Sequence, residues 1–277
     1  MVLTIRAQPW LGTLVEISLD VSDDQAFQSA FAVIGEVHRC MSYHSDSSDL
    51  ARLRCSVPGA TVTVSPHTVA VLRLAKWLFE ETDGLFDIGI GRKLVAAGYL
   101  PRMDDRPLFH FSGNAGDIEV FDDTHVCCHR PILIDVGGIA KGYAVDAALN
   151  QLAQRGYEYA LINAGGDLRH IGSAQETIGL RRADGVVSHE IQIANVAVAT
   201  SSNFLSRRKN RGRLASPHIG RDLTPLLVDT AITVLAPECA FADAMTKVAM
   251  ADRALAEHML NIVGGSLFVI PMKEDTA

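Results

Sequence analysis

An α+β fold is predicted by two features of this chain. Apolar–polar alternation of strand period recurs in segments that follow one another directly, above all between residues 159 and 235. Helical stretches of period 3.6 interrupt them at irregular intervals, unlike the one-for-one alternation of a doubly wound parallel sheet. The 277 residues suffice for one large domain or two interlocked lobes. No linker, fixed-period repeat or low-complexity stretch divides them.

Residues 13–19 (T-L-V-E-I-S-L) alternate as a strand does, and Phe27, Phe31, Ile34 and Val37 share one face of a helix over 24–40. Ser65-Pro66 reads as an N-cap followed by proline at the first helical position, opening a helix to about Glu81. Asp83-Gly84 breaks that pattern. Short strands are expected at 117–121, 125–128 and 131–134, then a glycine-opened helix to about Gln154. A strand-rich half follows, at 159–163, 167–171, 177–182, 188–193, 195–199 and 226–235. Helices over 238–248 and 252–261 precede a last strand at 266–270.

A hydrophobic content of 48% supports a sizeable core and argues against disorder. The net charge of −7 argues against a general nucleic-acid binder. Five cysteines, Cys40, Cys55, Cys127, Cys128 and Cys239, are odd in number and lack C-x-x-C spacing, so neither a disulfide framework nor a structural zinc site is indicated. Cys127 and Cys128 read as buried small hydrophobes. The start has no basic-then-apolar leader or lipidation cysteine, and no apolar run approaches the roughly 20 residues of a bilayer span. With Met1 as the start, the expectation is a cytoplasmic protein without a membrane anchor.

The most informative stretch is I-D-V-G-G-I-A-K-G-Y-A-V-D, residues 134–146. Asp135 leaves an apolar run, two glycines follow, and Lys141 stands at the opening of a helix. Glycines admit positive φ or close approach of a ligand, and a helix N-terminus favours anions, so the segment reads as a phosphate or nucleotide cradle. Its spacing is neither the dinucleotide G-x-G-x-x-G nor the P-loop.

Four more segments carry polar chemistry: Met41–Leu53 (M-S-Y-H-S-D-S-S-D-L-A-R-L), Asp83–Gly91 (D-G-L-F-D-I-G-I-G), Asn163–Arg169 (N-A-G-G-D-L-R) and Phe241–Lys247 (F-A-D-A-M-T-K). In the last, Asp243, Thr246 and Lys247 share one helical side. A carboxylate, a hydroxyl and backbone carbonyls suit a hard cation such as Mg²⁺ with bound phosphates. Plainer readings stand beside these. Asp243 and Lys247 make an ordinary i,i+4 surface pair, Asp87 and Asp167 satisfy turn amides, and His44 and His218 are structural. The basic run Arg207–Arg213 reads as a solvated loop, with contact to a phosphate as the alternative.

Taken as a set, these motifs resemble the FAD:protein FMN transferase family (ApbE-type flavin transferases, formerly the thiamine biosynthesis lipoprotein family). The resemblance spans almost the whole length in the expected order. W-L-G-T-L-V-E-I (Trp10–Ile17) is similar to the family's M-G-T strand, and Met41–Leu53 to M-S-T-Y-D-P-x-S-E-L-S-R-L. G-L-F-D is similar to G-A-F-D, the 134–146 stretch to L-D-L-G-G-I-A-K-G-Y-A-V-D, and A-D-A-M-T-K to the metal helix A-D-A-L-x-T; N-A-G-G-D-L-R and V-A-T-S (Val198–Ser201) also fit. The resemblance implies a single domain over 1–277 in which Leu11, His44, Leu85, Phe86, Asp87, Asp135 and Lys141 contact FAD. It implies Mg²⁺ near Gly138, held by Asp243 with an oxygen from Thr246. A threonine (or serine) hydroxyl of an acceptor flavoprotein would attack the FMN phosphorus and release AMP.

Three positions differ from the family pattern. His44 stands where the family has a tyrosine, so stacking would be poorer or come from Tyr43; Lys247 stands where the metal helix has threonine. S-P-H-I-G-R-D-L-T-P (Ser216–Pro225) replaces S-H-I-I-D-P-x-T-G, leaving His218 as candidate base in a shifted register. Two further functions remain open at this point, an FAD-binding paralogue without transfer and a pyrophosphatase giving FMN and AMP.

Overall fold

The computed structural model describes residues 3–182, 185–204, 206–210 and 212–271. In chain order these form β1 (Thr4–Trp10), β2 (Thr13–Leu19), α1 (Asp24–Met41), α2 (Asp49–Cys55), β3 (Thr61–Thr63), α3 (Pro66–Glu81), α4 (Gly91–Ala96), β4 (Ile118–Val120) and β5 (His125–Cys128). There follow α5 (Ala140–Gln154), β6 (Ala160–Ala164), β7 (Asp167–Ile171), β8 (Glu176–Arg181), β9 (Val187–Ile193), β10 (Ala197–Ser202), β11 (Arg208–Asn210) and β12 (Arg213–Ala215). The chain ends with β13 (Thr230–Ala236), α6 (Cys239–Ala251), α7 (Arg253–Ile262) and β14 (Ser266–Pro271). The α+β expectation is met.

The chain divides into two compact units: Met1–Gly35, Lys141–Arg207 and Leu226–Ala277 make the first, Glu36–Ala140 and Arg208–Pro225 the second. The first is built on a seven-stranded sheet in the order β1-β2-β6-β7-β10-β13-β14, antiparallel at every pairing. Its alternation has the expected cause: Val15, Ile17 and Leu19 of β2 point into a core with Ala160, Ile162 and Ala164 of β6. Helix α5 covers that face with Val145, Ala148, Leu149 and Leu152, the i, i+3, i+4, i+7 stripe of a core-facing helix. Helix α6 packs against β10, β13 and α7 and is buried along almost its entire length. A small β8–β9 hairpin adds Leu180 and Ile193 to smaller clusters.

In the second unit Ser65 caps α3 by accepting from His67 N–H, with Pro66 at the first position. Strands β3-β5-β4 form a three-stranded antiparallel sheet, and β11 pairs with β12. Cys127 and Cys128 of β5 are both buried, as expected.

Three differences from the sequence reading have local causes. Residues 131–134 form no strand; two of their carbonyls accept from a loop amide and a helix-end amide instead, Pro131 O from Gly113 N–H (2.9 Å) and Leu133 O from Gly91 N–H at the start of α4 (3.0 Å). β1 escapes notice because its apolar residues are separated by Arg6 and Gln8 and none of its seven residues is buried at the sheet edge. Helix α2 was hidden in a serine-rich stretch, where Ser48 caps it by accepting from Ala51 N–H (3.1 Å). Among the described residues no helix is long and apolar enough to cross a membrane.

Candidate functional site

In the first unit two hairpin turns lie at the same end of the sheet. Leu11-Gly12 closes β1 to β2 and Gly165-Gly166 closes β6 to β7, with φ of 56°, 75°, 68° and 102°. Consecutive positive φ values make the turn that matches the strands' own twist. Glycine adopts them freely, whereas Leu11 holds its conformation at a cost of about 1–3 kcal/mol. A Cβ on Gly165 would stand 2.4 Å from Thr13 Oγ1, so the two turns adjoin.

Asp167 follows the second turn directly and is buried, its carboxylate taking the ammonium of Lys141 at the start of α5. Lys141 Nζ also lies 3.6 Å from Asp243 Oδ2. Asp243, on α6, is fully buried, and its Oδ1 accepts from Lys247 one turn further along the helix. Thr246 on the same helix donates to the Asp243 carbonyl oxygen (2.6 Å) and pairs with Ser201 Oγ of β10 (2.8 Å). Two acids and two lysines therefore balance in charge.

Burial alone would lower the Lys141 pKa, but the Asp243 and Asp167 carboxylates outweigh it and hold the ammonium above the ordinary lysine range. Burial opposes charge on Asp243 as well; the Lys247 and Lys141 ammonium groups prevail and hold its carboxyl below the usual value. Asp167 goes the other way, raised by burial and by the neighbouring Asp243. The Lys141 and Lys247 side chains remain 31% and 21% exposed, so the cluster offers a cationic edge over a buried acidic floor. Such an edge can bind an anion with several oxygens, a pyrophosphate being the simplest case.

Behind the cluster, α5 and α6 are locked together. Asp146 accepts from Cys239 N–H (2.9 Å) and Ala240 N–H (2.8 Å), the first amides of α6, and from Arg169 Nη1 (2.8 Å). Glu238, at the N-cap position itself, supplies no side-chain bond. A Cβ on Gly142 would stand 2.3 Å from Cys239 O, so this glycine serves helix-to-helix approach.

In the second unit, Thr82 Oγ1 accepts from Phe86 N–H (2.9 Å) and fixes the turn after α3. Asp87 Oδ1 then accepts from Gly89 N–H (2.8 Å) and Ala115 N–H (2.9 Å), and Ile88 O accepts from Asp135 N–H (2.8 Å). The Leu85–Asp87 segment and Asp135 are thereby joined through backbone. Burial pushes the Asp87 carboxyl up, against the pull of its two amides. Arg221, four residues before the end of this unit's last stretch, donates to Asp83 O (3.2 Å) and Oδ2 (3.1 Å), tying the loop that carries His218 to the same segment.

A family model described as the ApbE family matches residues 11–262. The chain belongs to the ApbE family. It is 24% identical to the FAD:protein FMN transferase of Vibrio cholerae over 86% of this chain and 78% of that protein. It is 26% identical to the FAD:protein FMN transferase of Rhodobacter capsulatus over 84% of this chain and 48% of that protein, so it spans about half of that relative. The apo crystal structure of the Pseudomonas stutzeri flavinyl transferase ApbE superposes with a TM-score of 0.82 at 19% identity, covering 98% of this chain and 92% of that one. That likeness establishes the fold.

Within this ApbE fold the structure brings Lys141, Asp243 and Thr246 together in the first unit and joins Leu85, Phe86 and Asp87 to Asp135 in the second. Leu11 occupies the strained turn of the first unit. Gly138 and His218 belong to the second, where His218 N–H donates to Ser216 Oγ (3.1 Å). His44 is exposed, while Tyr43 is buried against Phe111 and Leu133, with its hydroxyl on Pro101 O (3.1 Å). Tyr43 is therefore a core residue and not a stacking platform. Gly137 and Gly138 lack the positive φ that the cradle reading allowed. The Asp243–Lys247 pair is buried on its acidic side and is no surface pair, and Asp167 holds a lysine where turn amides were expected. Asp87 does satisfy loop amides. The basic run is partly spent inside the protein, Arg207 on Asp229 (2.7 Å) and Arg208 over the Tyr99 ring (4.0 Å); residue 211 lies outside the described residues.

Sequence reasoning marked Lys247 as a departure on the metal helix but gave Asp167, Asp146 and Arg169 no site role. The i,i+4 spacing was the available signal for Lys247; for Asp146 and Arg169 there was none, since their partners lie far away in sequence.

One oxygen of Asp243 and the Asp167 carboxylate hold ammonium groups, and the cation nearest the other Asp243 oxygen is Lys141. Mg²⁺ needs near-octahedral oxygen ligands and sheds water reluctantly. A charge-neutral cluster with two resident ammonium groups does not fit it. Among the described residues no group of three or more His, Cys, Asp or Glu side chains is disposed to hold a metal.

Proposed function

We propose that this chain transfers FMN from FAD to a threonine (or serine) hydroxyl of an acceptor flavoprotein and releases AMP, with residues 1–277 acting as one transferase domain. The observation that carries the reading is the Lys141–Lys247 cationic edge, held charged by buried acids, in a family whose named relatives are FAD:protein FMN transferases. The acceptor oxygen forms a bond to the FMN phosphorus, the bond from that phosphorus to the AMP oxygen breaks, and the electron pair leaves with AMP. The hydroxyl proton passes to a base, for which His218 is the candidate. Lys141 takes part of the pyrophosphate charge. Leu11, His44, Leu85, Phe86, Asp87 and Asp135 are assigned to flavin contact; Asp87 does so by shaping the loop its carboxylate grips.

The test incubates the protein with FAD and a threonine-bearing acceptor and follows acceptor mass and AMP together. Transfer gives an FMN mass increment and one AMP for each labelled acceptor. AMP with free FMN and an unlabelled acceptor would show hydrolysis instead; intact bound FAD without AMP would reduce the protein to a flavin carrier. His218→Ala is expected to slow transfer by on the order of 10²-fold while leaving FAD binding in place.

A further inference from the structure

We propose that Lys247 is the resident cation of this site, so that the chain binds the pyrophosphate of a flavin dinucleotide without a divalent metal. The inference rests on the FAD-binding reading above and deepens it. Asp243 is fully buried, and a buried carboxylate must be compensated. Lys247 does this from the same helix: four residues on, it lies on the same face, and its ammonium contacts Oδ1. The other oxygen, Oδ2, forms no hydrogen bond, and the ammonium nearest it is that of Lys141 at 3.6 Å. Lys141 is itself engaged by Asp167.

A divalent ion entering here would have to displace an ammonium group from a buried acid and then remain beside it. Its gain would be Asp243 Oδ2, which already faces the Lys141 ammonium, and Thr246 Oγ1, which is engaged by the Asp243 carbonyl and by Ser201. Lys247 needs no such exchange. Anchored through Asp243 and 21% exposed, it keeps donors for an incoming phosphate oxygen, since an ammonium has three and the carboxylate uses one. A tethered cation is also present at every moment, whereas a free ion must be recruited at its ambient concentration.

Two measurements on the full chain test this. The first titrates Mn²⁺ without flavin and reads free ion by electron paramagnetic resonance. Wild type is expected to show no binding tighter than millimolar, and Lys247→Thr, which frees Asp243 and adds a hydroxyl, binding at least about tenfold tighter. Micromolar Mn²⁺ binding by wild type would overturn the proposal, and so would equal binding by a folded Lys247→Thr protein. Should that variant fail to fold, as judged by circular dichroism, the wild-type titration decides alone.

The second measures FAD affinity by quenching of flavin fluorescence in EDTA and in Mg²⁺. Wild type should change by less than about twofold, whereas Lys247→Thr should lose about tenfold in EDTA and recover it in Mg²⁺. A loss of about tenfold for wild type in EDTA would refute metal independence. If FAD fails to bind in either buffer, the functional reading fails, and the Mn²⁺ titration still decides the identity of the cation.

Discussion

Asp146 in the first unit and Asp87 in the second do the same geometric work with different electrostatics. Each buries most of its carboxylate and each gathers two backbone amides from elsewhere in the chain, Asp146 those of Cys239 and Ala240, Asp87 those of Gly89 and Ala115. Burial raises both pKa values, and the amides pull back against it. Asp146 also receives the Arg169 guanidinium at 2.8 Å, a side chain only 17% exposed. The first unit thus treats a buried acid as a charge to be paired, as it does again at Asp243. Asp87, only part-buried, serves mainly as an acceptor of N–H bonds, although the second unit also pairs a buried acid with a charge, Asp49 with Arg52. Charge is necessary in one place and a burden in the other.

Truncation gives the largest contrast. Asp146→Ala strands two helix-end amides and a mostly buried arginine, and is expected to cost about 3–5 kcal/mol in urea denaturation. Asp87→Ala strands two amides only and should cost about 2–3 kcal/mol by the same measurement. The amide substitutions separate the two cases more sharply. Asn keeps an acceptor oxygen in both places, so Asp87→Asn should fall within about 1 kcal/mol of wild type, whereas Asp146→Asn should lose about 1–2 kcal/mol with the Arg169 pair. Equal losses in the two Asn variants would break the comparison.

The smallest effect is a pH dependence. A carboxyl whose folded pKa is raised binds its proton more tightly when folded, so its contribution to stability is greatest below the ordinary carboxylate pKa. That contribution declines as pH rises through the elevated folded value. The stability of Asp87→Asn relative to wild type should therefore improve from pH 4 upward and level off above the folded pKa of Asp87, read as thermal midpoints across buffers. A stability of Asp87→Asn that falls relative to wild type with rising pH would reverse the assigned direction of the shift.

Much of the fold was legible in the sequence wherever a local pattern decides it. The period-2 alternation of residues 13–19, the capped start at Ser65-Pro66 and the apolar stripe of 24–40 each produce their element within a residue or two. Where pairing is decided by distant partners, the pattern fails. Residues 131–134 look like a strand but spend two carbonyls on glycine amides, and β1 looks like a loop but is held by β2. The site divides in the same way. Lys141 and Asp243 were visible as motif residues, yet the arrangement of charges around them was not. Nothing local announces that Asp146 caps a helix some ninety residues downstream, or that Asp167 meets a lysine instead of turn amides.

The order of strands in the large sheet sets a timetable for the chain's maturation. β2 pairs with β6, Val15 opposite Ala164, although the whole first stretch of the second unit lies between them in sequence. The β1–β2 hairpin emerges early and must wait, its inner edge open, until residues 160–164 arrive; the opposite edge is closed only by β14 near the chain's end. Pairings this remote in sequence form slowly, and unpaired edges invite wrong partners in the interval. Residues 36–140, by contrast, are continuous, and the second unit waits only for the short stretch Arg208–Pro225. Truncation before β14 would thus leave β13 as a new edge, with Ile270 no longer packed against Ala231, and aggregation, more than loss of chemistry, would be the first sign of damage.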